Sequence, residues 1–308
     1  MDTVPLLGVV GPTATGKTEL GLRLAEEFDA EIVSVDSMVV YRGMDIGTAK
    51  PTAADRARVP HHLLDLVDPS EPFSVATYQR EGRSALREVR GRGRPALLTG
   101  GSGLYFRALV DDLEFPGTDP AIRAALEREA AAIGAEALHR RLRGTDPRAA
   151  AKIEPGNVRR SVRALEVAAL TGRPFSEFSA AWGEHPAGRV RAAGIDQPRE
   201  ILAERIELRV RAMLDRGWLR EVADLVERGF GAWLTASQAI GYAELAQHLE
   251  GRLTLEDAVD RTVRRTRNLA RRQMAWFRRD PRIRWFPVGS GGAIEALEPI
   301  DAYLREPV

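Results

Sequence analysis

The chain has 308 residues, 44% of them hydrophobic and 29% charged, an ordinary balance for a globular protein. Its 45 basic residues face 44 acidic ones for a formal charge of +1, so bulk charge excludes itself as the source of any polyanion binding, which has to come from local clustering. Cysteine is absent, which excludes disulfides and thiolate metal sites, and no apolar run approaches the roughly 20 residues needed to span a bilayer.

The opening Met1-Asp-Thr-Val-Pro5 carries no basic n-region or signal-like apolar stretch and leads straight into a strand. A cytoplasmic protein with no membrane partner is therefore expected. Leu6–Val10 reads as a buried strand. It is followed by Gly11-Pro12-Thr13-Ala14-Thr15-Gly16-Lys17-Thr18 and then by a helical run from Glu19 to Ala25. This is the strand–loop–helix setting that the phosphate-loop pattern G-x4-G-K-[ST] requires. The loop N–H groups and the helix N-terminus converge on one anion, and Lys17 adds a charge. A chance Gly-rich turn would not keep this spacing in this context. The hydroxyl of Thr18 occupies the position that carries Mg2+ in such loops.

Ala30–Val35 is a second short strand, ending at Asp36. An acid placed there, beside a phosphate loop, is either a general base, a water-mediated Mg2+ partner or a plain loop carboxylate. The segment Asp36–Pro51 is shaped by Gly43, Gly47 and Pro51 into a long loop, and long loops in compact domains are usually functional. His61–Val67 reads as another strand. Its adjacent histidines point to opposite faces and cannot readily chelate one ion, so a structural role is favoured. Ser74 caps a helix over about 75–90, with Val75, Tyr78, Gly82, Ala85, Leu86 and Val89 as its apolar or small positions. Pro95–Thr99 is a further strand, closed by the turn Gly100-Gly-Ser102-Gly103, which is either a site or a simple strand-to-helix turn.

Alternating strands and helices predict an α/β fold, a parallel sheet of the P-loop NTPase type flanked by helices. Ligands of such sheets sit at the carboxyl ends of strands. Lys17, Asp36 and Ser102 all lie just past strand ends, so one cleft is expected to contain all three. From about Thr118 to Trp182 only helical periodicity is present, which predicts an all-helical insertion. The expected division is a catalytic core of residues 1–115 and 190–308 with an insertion of 116–189. Val190–Ile195 returns the chain to the sheet. Helices follow over about 199–216, 219–228, 235–249 and 254–279, and Arg282–Phe286 forms a last strand.

Two basic clusters stand out. Arg159-Arg160-Ser161-Val162-Arg163 opens a helix of the insertion, as a solvated face or a phosphate-backbone contact. Between Arg261 and Arg282 there are nine arginines and one acid, Asp280. Val263, Ala270, Met274 and Phe277 form an apolar stripe there, and Arg264, Arg267, Arg271, Arg272 and Arg278 lie outside it. A solvated face normally mixes signs, so polyanion binding is the favoured reading.

Taken together, these segments resemble the tRNA dimethylallyltransferase (isopentenyltransferase) family. The matching stretches are GPTATGKT at Gly11–Thr18, DSMVVYRGMDIGTAKP at Asp36–Pro51, HHLLD at His61–Asp65 and GGSGLY at Gly100–Tyr105. They continue with RRSVRALEV at Arg159–Val167, QAIGYAEL at Gln238–Leu245 and RRQMAWFRRD at Arg271–Asp280. The resemblance implies transfer of a dimethylallyl group from dimethylallyl diphosphate to N6 of adenosine 37 in tRNAs reading codons that begin with U, with Mg2+ as cofactor. The phosphate loop would then hold a prenyl diphosphate, with no nucleotide hydrolysis expected. Asp36, Ser102 and Lys17 would be catalytic, and Gly11–Thr18 with Arg205 would bind the diphosphate. Asp36, Ser37, Met38, Val39 and Ser102 would receive the base, while Arg123, Arg159–Arg163, Arg271 and Arg272 would contact the tRNA. Ser102 stands where the family usually has Thr, and Val39 where it commonly has Gln. The rivals are a nucleotide or small-molecule kinase and a non-enzymatic RNA-binding module. A monomer is expected.

Overall fold

The computed structural model describes residues 6–178 and 180–306. The N-terminal Met1–Pro5, expected to run straight into the first strand, lies outside the described residues. Six strands, β1 (Leu6–Val10), β2 (Glu31–Ser34), β3 (His61–His62), β4 (Ala96–Gly100), β5 (Val190–Asp196) and β6 (Ile283–Pro287), form one sheet in the order β3-β2-β4-β1-β5-β6. Every pairing is parallel. β1 and β2 are buried along their whole length, as both-face coverage of a parallel sheet demands.

Register decides where the functional loops leave. Val10 pairs with Gly100, and Ser34 with Thr99, so β1, β4 and β2 end at one level. One face of the sheet is covered by the helices Lys17–Phe28 and Leu297–Arg305, whose Leu20, Leu24, Ile300 and Leu304 share a core with Val9, Leu97, Ile195 and Phe286. On the other face, Tyr78 of the helix Val75–Gly91 donates its hydroxyl to Ser34 O at 2.7 Å. Phe106, from the helix Gly103–Val110, meets Phe277 edge to face at 5.9 Å.

The chain separates into two compact units, Met1–Asp111 with Pro186–Val308, and Asp112–His185. These limits fall four residues before each expected boundary. Among the described residues of the second unit, the regular elements are all helices. Its longer ones, Pro120–Ile133, Ala135–Thr145 and Val158–Thr171, pack Leu126, Leu138, Leu142, Val162 and Leu165 into a core of their own.

Two elements differ from expectation. The third strand stops at His62 because Leu63 and Asp65 take left-handed backbone angles, φ 66° and 55°, and the Asp65 carboxylate turns to Lys50 and Arg56. The helix expected over 235–249 is broken at Gly241 (φ 90°), leaving a short turn Ala236–Gln238 and a helix Tyr242–Leu249. The Trp218 ring fills the break so tightly that a Cβ on Gly241 would sit 2.0 Å from it.

Candidate active site

The phosphate loop closes as its sequence requires. Gly16 caps the Lys17–Phe28 helix at φ 89°, an angle only glycine adopts freely, and Ala14 is held at φ 68°, a strained setting for a residue with a Cβ. Distant segments supply the restraint. Arg205 Nε donates to Ala14 O (2.9 Å), Ala293 N–H donates to Thr15 O (2.7 Å), and Thr13 N–H donates to Gln273 Oε1 (2.9 Å). Inside the loop, Thr15 Oγ1 donates to Pro12 O (3.0 Å), and the Lys17 ammonium folds back onto Pro12 O and lies 3.4 Å from Thr15 Oγ1.

Lys17 is buried, and its pKa falls to about 7. Desolvation is the main cause and the Arg209 charge adds to it, while Asp36 opposes both. Arg209 itself is half-buried and makes no hydrogen bond or ion pair with any described residue. Burial lowers its pKa and the negative charge of Asp36 partly restores it. Sequence reading missed this residue. The signal was the four-residue step from Arg205 to Arg209 on one helix, which places both on the same face. Arg205, expected to contact the diphosphate, donates from Nε to Ala14 O and from Nη1 to Ser290 O (2.8 Å). It braces the loop, and the charge of Arg209 reaches Lys17 and Asp36.

Asp36 follows β2, half-exposed, and its Oδ1 accepts from Met38 N–H at 2.8 Å. Ser102 follows β4. Its N–H donates to Val35 O (2.9 Å), tying its turn to the end of β2, and its hydroxyl caps the next helix at Tyr105 N–H (3.4 Å). Behind them Tyr78 and Tyr105 stack at 3.9 Å. Burial raises both phenols, and the charge of Asp36 pushes the same way. The sheet thus brings Lys17, Ser102 and Asp36 to the ends of three adjacent strands. Of the base-receiving run, Ser37 and Met38 are half-exposed, but Val39 is buried, 5% accessible, with its carbonyl taking Asp65 N–H (3.1 Å). Its side chain faces protein.

The rest of the Asp36–Pro51 loop is pinned by residues that its spacing did not reveal. Lys50 Nζ is buried and donates to Tyr41 O (2.7 Å), to Asp45 and to Asp65 (2.6 Å). The Glu221 carboxylate accepts from Asp45 N–H (2.9 Å), Ile46 N–H (2.8 Å) and the Tyr242 hydroxyl (2.6 Å). Thr18 is exposed on the helix just inside the loop. Among the described residues, no three His, Asp or Glu side chains converge as a metal centre. That donor set fits a Mg2+ ion held through Thr18, water and a ligand's phosphate oxygens, the hydrated, phosphate-bridged mode this ion favours.

The arginine field is smaller than its count. Arg265 pairs with Glu244, Arg267 with Glu207 (3.4 Å), Arg278 with Asp196 (2.8 Å) and Arg282 with Asp111 (2.7 Å). Arg261, Arg264, Arg271, Arg272 and Arg279 are exposed, and their side chains have no such partner among the described residues. In the helical unit, the run expected to contact RNA as a block separates by helical face. Arg159 and Arg160 are exposed, Ser161 and Val162 are buried, and Arg163 is tied to the buried Glu166 (2.8 Å) together with Arg123 (2.7 Å).

A family model described as IPP transferase matches residues 39–280, and one described as isopentenyl transferase matches residues 4–65. A tRNA dimethylallyltransferase of Salinispora tropica is 51% identical over 301 residues, covering 97% of this chain and 94% of its own. The chain belongs to the IPP transferase family. A tRNA dimethylallyltransferase of Kineococcus radiotolerans is 50% identical, covering 98% of this chain and 95% of its own. Among solved structures, the tRNA isopentenylpyrophosphate transferase of Bacillus halodurans superposes with a TM-score of 0.71 at 39% identity, covering 98% of this chain and 96% of that one. A eukaryotic dimethylallyltransferase acting on tRNA superposes with a TM-score of 0.75 at 26% identity, covering 95% of this chain and 75% of that one. This IPP transferase fold is the P-loop-like parallel sheet expected from the sequence, and no helix among the described residues is long and apolar enough to cross a membrane.

Proposed function

We propose that this chain transfers a dimethylallyl group from dimethylallyl diphosphate to N6 of adenosine 37 in tRNAs reading codons that begin with U. The observation that carries the proposal is the convergence of Lys17, Ser102 and Asp36 at the ends of three adjacent strands, beside a helix with exposed arginines. The names of the relatives support it. The bond between N6 and the allylic carbon forms as the carbon–oxygen bond to diphosphate breaks. Asp36 accepts the proton that N6 loses. An exocyclic adenine amine is a weak nucleophile, because its lone pair is shared with the ring, so a fixed acceptor at this point matters. Ser102 offers a hydroxyl beside the reacting groups.

The leaving diphosphate gathers charge, and Lys17, Arg209 and the loop N–H groups stabilise it. Thr18 would hold Mg2+, which when bound neutralises diphosphate charge. Reaching Asp36 requires the base to leave the anticodon-loop stack, at a cost of about a few kcal/mol. Ser37 and Met38 meet the extruded base, and Val39 supports them from beneath. Arg159, Arg160, Arg271 and Arg272 take RNA phosphates. The test is transfer of label from dimethylallyl diphosphate to tRNA, with ATP as the competing donor. Label at adenosine 37 is expected. A complete lack of transfer to any tRNA carrying A36–A37, or phosphate transfer from ATP in its place, overturns the proposal.

A further inference from the structure

Gln273 lies between the exposed Arg271 and Arg272 and the apolar stripe of the Leu255–Phe277 helix. Its Oε1 accepts from Thr13 N–H at 2.9 Å, across 260 residues of sequence. Because the partner is an N–H donor, the oxygen must face the phosphate loop, and this fixes the amide orientation. The other amide atom, Nε2, rests on the turn that carries Ser102, so close that a Cβ on Gly101 would come within 2.4 Å of it. One turn further along, the Trp276 ring covers Gly103, where an added Cβ would meet it at 2.5 Å. A single helix therefore touches the phosphate loop and the Ser102 turn through two neighbouring side chains, while its adjacent arginines face outward.

Backbone N–H groups of a phosphate loop normally address the anion. Here the Thr13 N–H is committed to a side chain of another element, so the loop's shape depends on where that helix lies. The geometry points to Gln273 as a positioning residue that couples RNA docking on the arginine helix to diphosphate binding in the loop. The inference rests on the function proposed above. RNA phosphates drawn to Arg271 and Arg272 fix the helix, the helix fixes Gln273, and Gln273 holds Thr13 in the conformation that grips diphosphate. Coupling of this kind is reciprocal: diphosphate tightens RNA by the factor by which RNA tightens diphosphate.

The experiment is a four-way titration of the full chain with inorganic pyrophosphate, Mg2+ and an anticodon stem-loop RNA. In the wild type, RNA is expected to tighten pyrophosphate by about fivefold or more. Gln273→Met keeps the side-chain length but cannot accept the N–H, and should bind each ligand alone while the coupling factor collapses towards one. Gln273→Glu keeps an acceptor oxygen and should restore the factor, whatever its effect on absolute affinity. Full coupling in Gln273→Met, or none in the wild type, overturns the inference. If the wild type binds neither pyrophosphate nor RNA, the proposed function itself fails. Amide hydrogen exchange of residues 11–16 in the wild type gives a readout that needs no variant. RNA should slow exchange there, and an unchanged rate counts against Gln273.

Discussion

Between Gly11 and Thr18 the chain carries its framework in its own sequence, a strand, a Gly-capped helix and a lysine at fixed spacing, and three distant groups hold that framework in place. Between Asp36 and Pro51 it needs the rest of the protein. Lys50 ties the loop to Asp65 and braces the loop's own Tyr41 carbonyl, and Glu221 holds three of its backbone N–H groups from a helix some 170 positions away in sequence. The diphosphate side of the site thus consists of a local motif trimmed by distant supports, while the base side is a distant network around one local acid. The first concentrates positive charge in a desolvated pocket. The second places Asp36, Ser37 and Met38 on a platform. One side handles charge and the other handles shape, and damage to each should look different.

The largest effect expected is at the acid. Asp36→Ala should cut kcat by about 100-fold to 10,000-fold, the range for losing a general base, while pyrophosphate affinity stays near wild type. Near-normal turnover would break the assignment of the two sides. Next, Lys17→Met should lower kcat by about 100-fold or more, as for removal of one transition-state donor, and should also weaken pyrophosphate in a direct titration.

The pH behaviour sharpens the same point. Burial holds the Lys17 pKa near 7, below its ordinary 10.5. A bound diphosphate favours the ammonium and raises that pKa, so binding takes up a proton. Pyrophosphate affinity should therefore fall as pH rises above about 7, and calorimetry in buffers of different ionisation enthalpy should detect the uptake. Lys17→Met should flatten the profile. Stability runs the other way. Between about pH 7 and 10.5 the unfolded chain binds a proton that the folded lysine does not, so this group's contribution to stability rises with pH through that window.

On the base side, Lys50→Met removes three hydrogen bonds from a buried ammonium and should cost on the order of 1–3 kcal/mol in a denaturant titration. It should raise KM for tRNA more than KM for the diphosphate; equal changes would mean that the platform does not serve the base. The smallest effect is at the surface. Arg271→Ala should reduce the slope of log affinity for RNA against log salt by about one, without altering pyrophosphate binding in the absence of RNA.

This comparison also explains what could be read from the sequence. The sheet, the ends of β1, β2 and β4 and the placing of Lys17, Asp36 and Ser102 just past them were legible, because each rests on short-range patterning and on the rule that parallel strands deliver loops to one edge. Arg209, Glu221 and Gln273 were not, since their roles exist only after packing. The bracing of Ala14 O and Ser290 O by Arg205 was not legible either, because an arginine at the right place on a helix does not reveal which of its neighbours its guanidinium will find. The field of the arginine-rich run 261–282 was overcounted for a related reason: Glu244, Glu207, Asp196 and Asp111, from other segments of the chain, neutralise four of its arginines. Val39, Ser161 and Val162 illustrate the third case, where a motif contiguous in sequence is divided between inside and outside by the fold.

The supports of the phosphate loop carry a consequence for synthesis. Ala14, Thr13 and Thr15 are held by Arg205, Gln273 and Ala293, all downstream of the helical unit. A ribosome has therefore produced the complete Gly11–Thr18 motif some 190 residues before the first of its three restraints emerges and some 280 before the last. Through most of translation the nascent chain carries the motif without the restraints that set it, and the capacity to grip a diphosphate arrives only as the final strand and its following turn join the sheet.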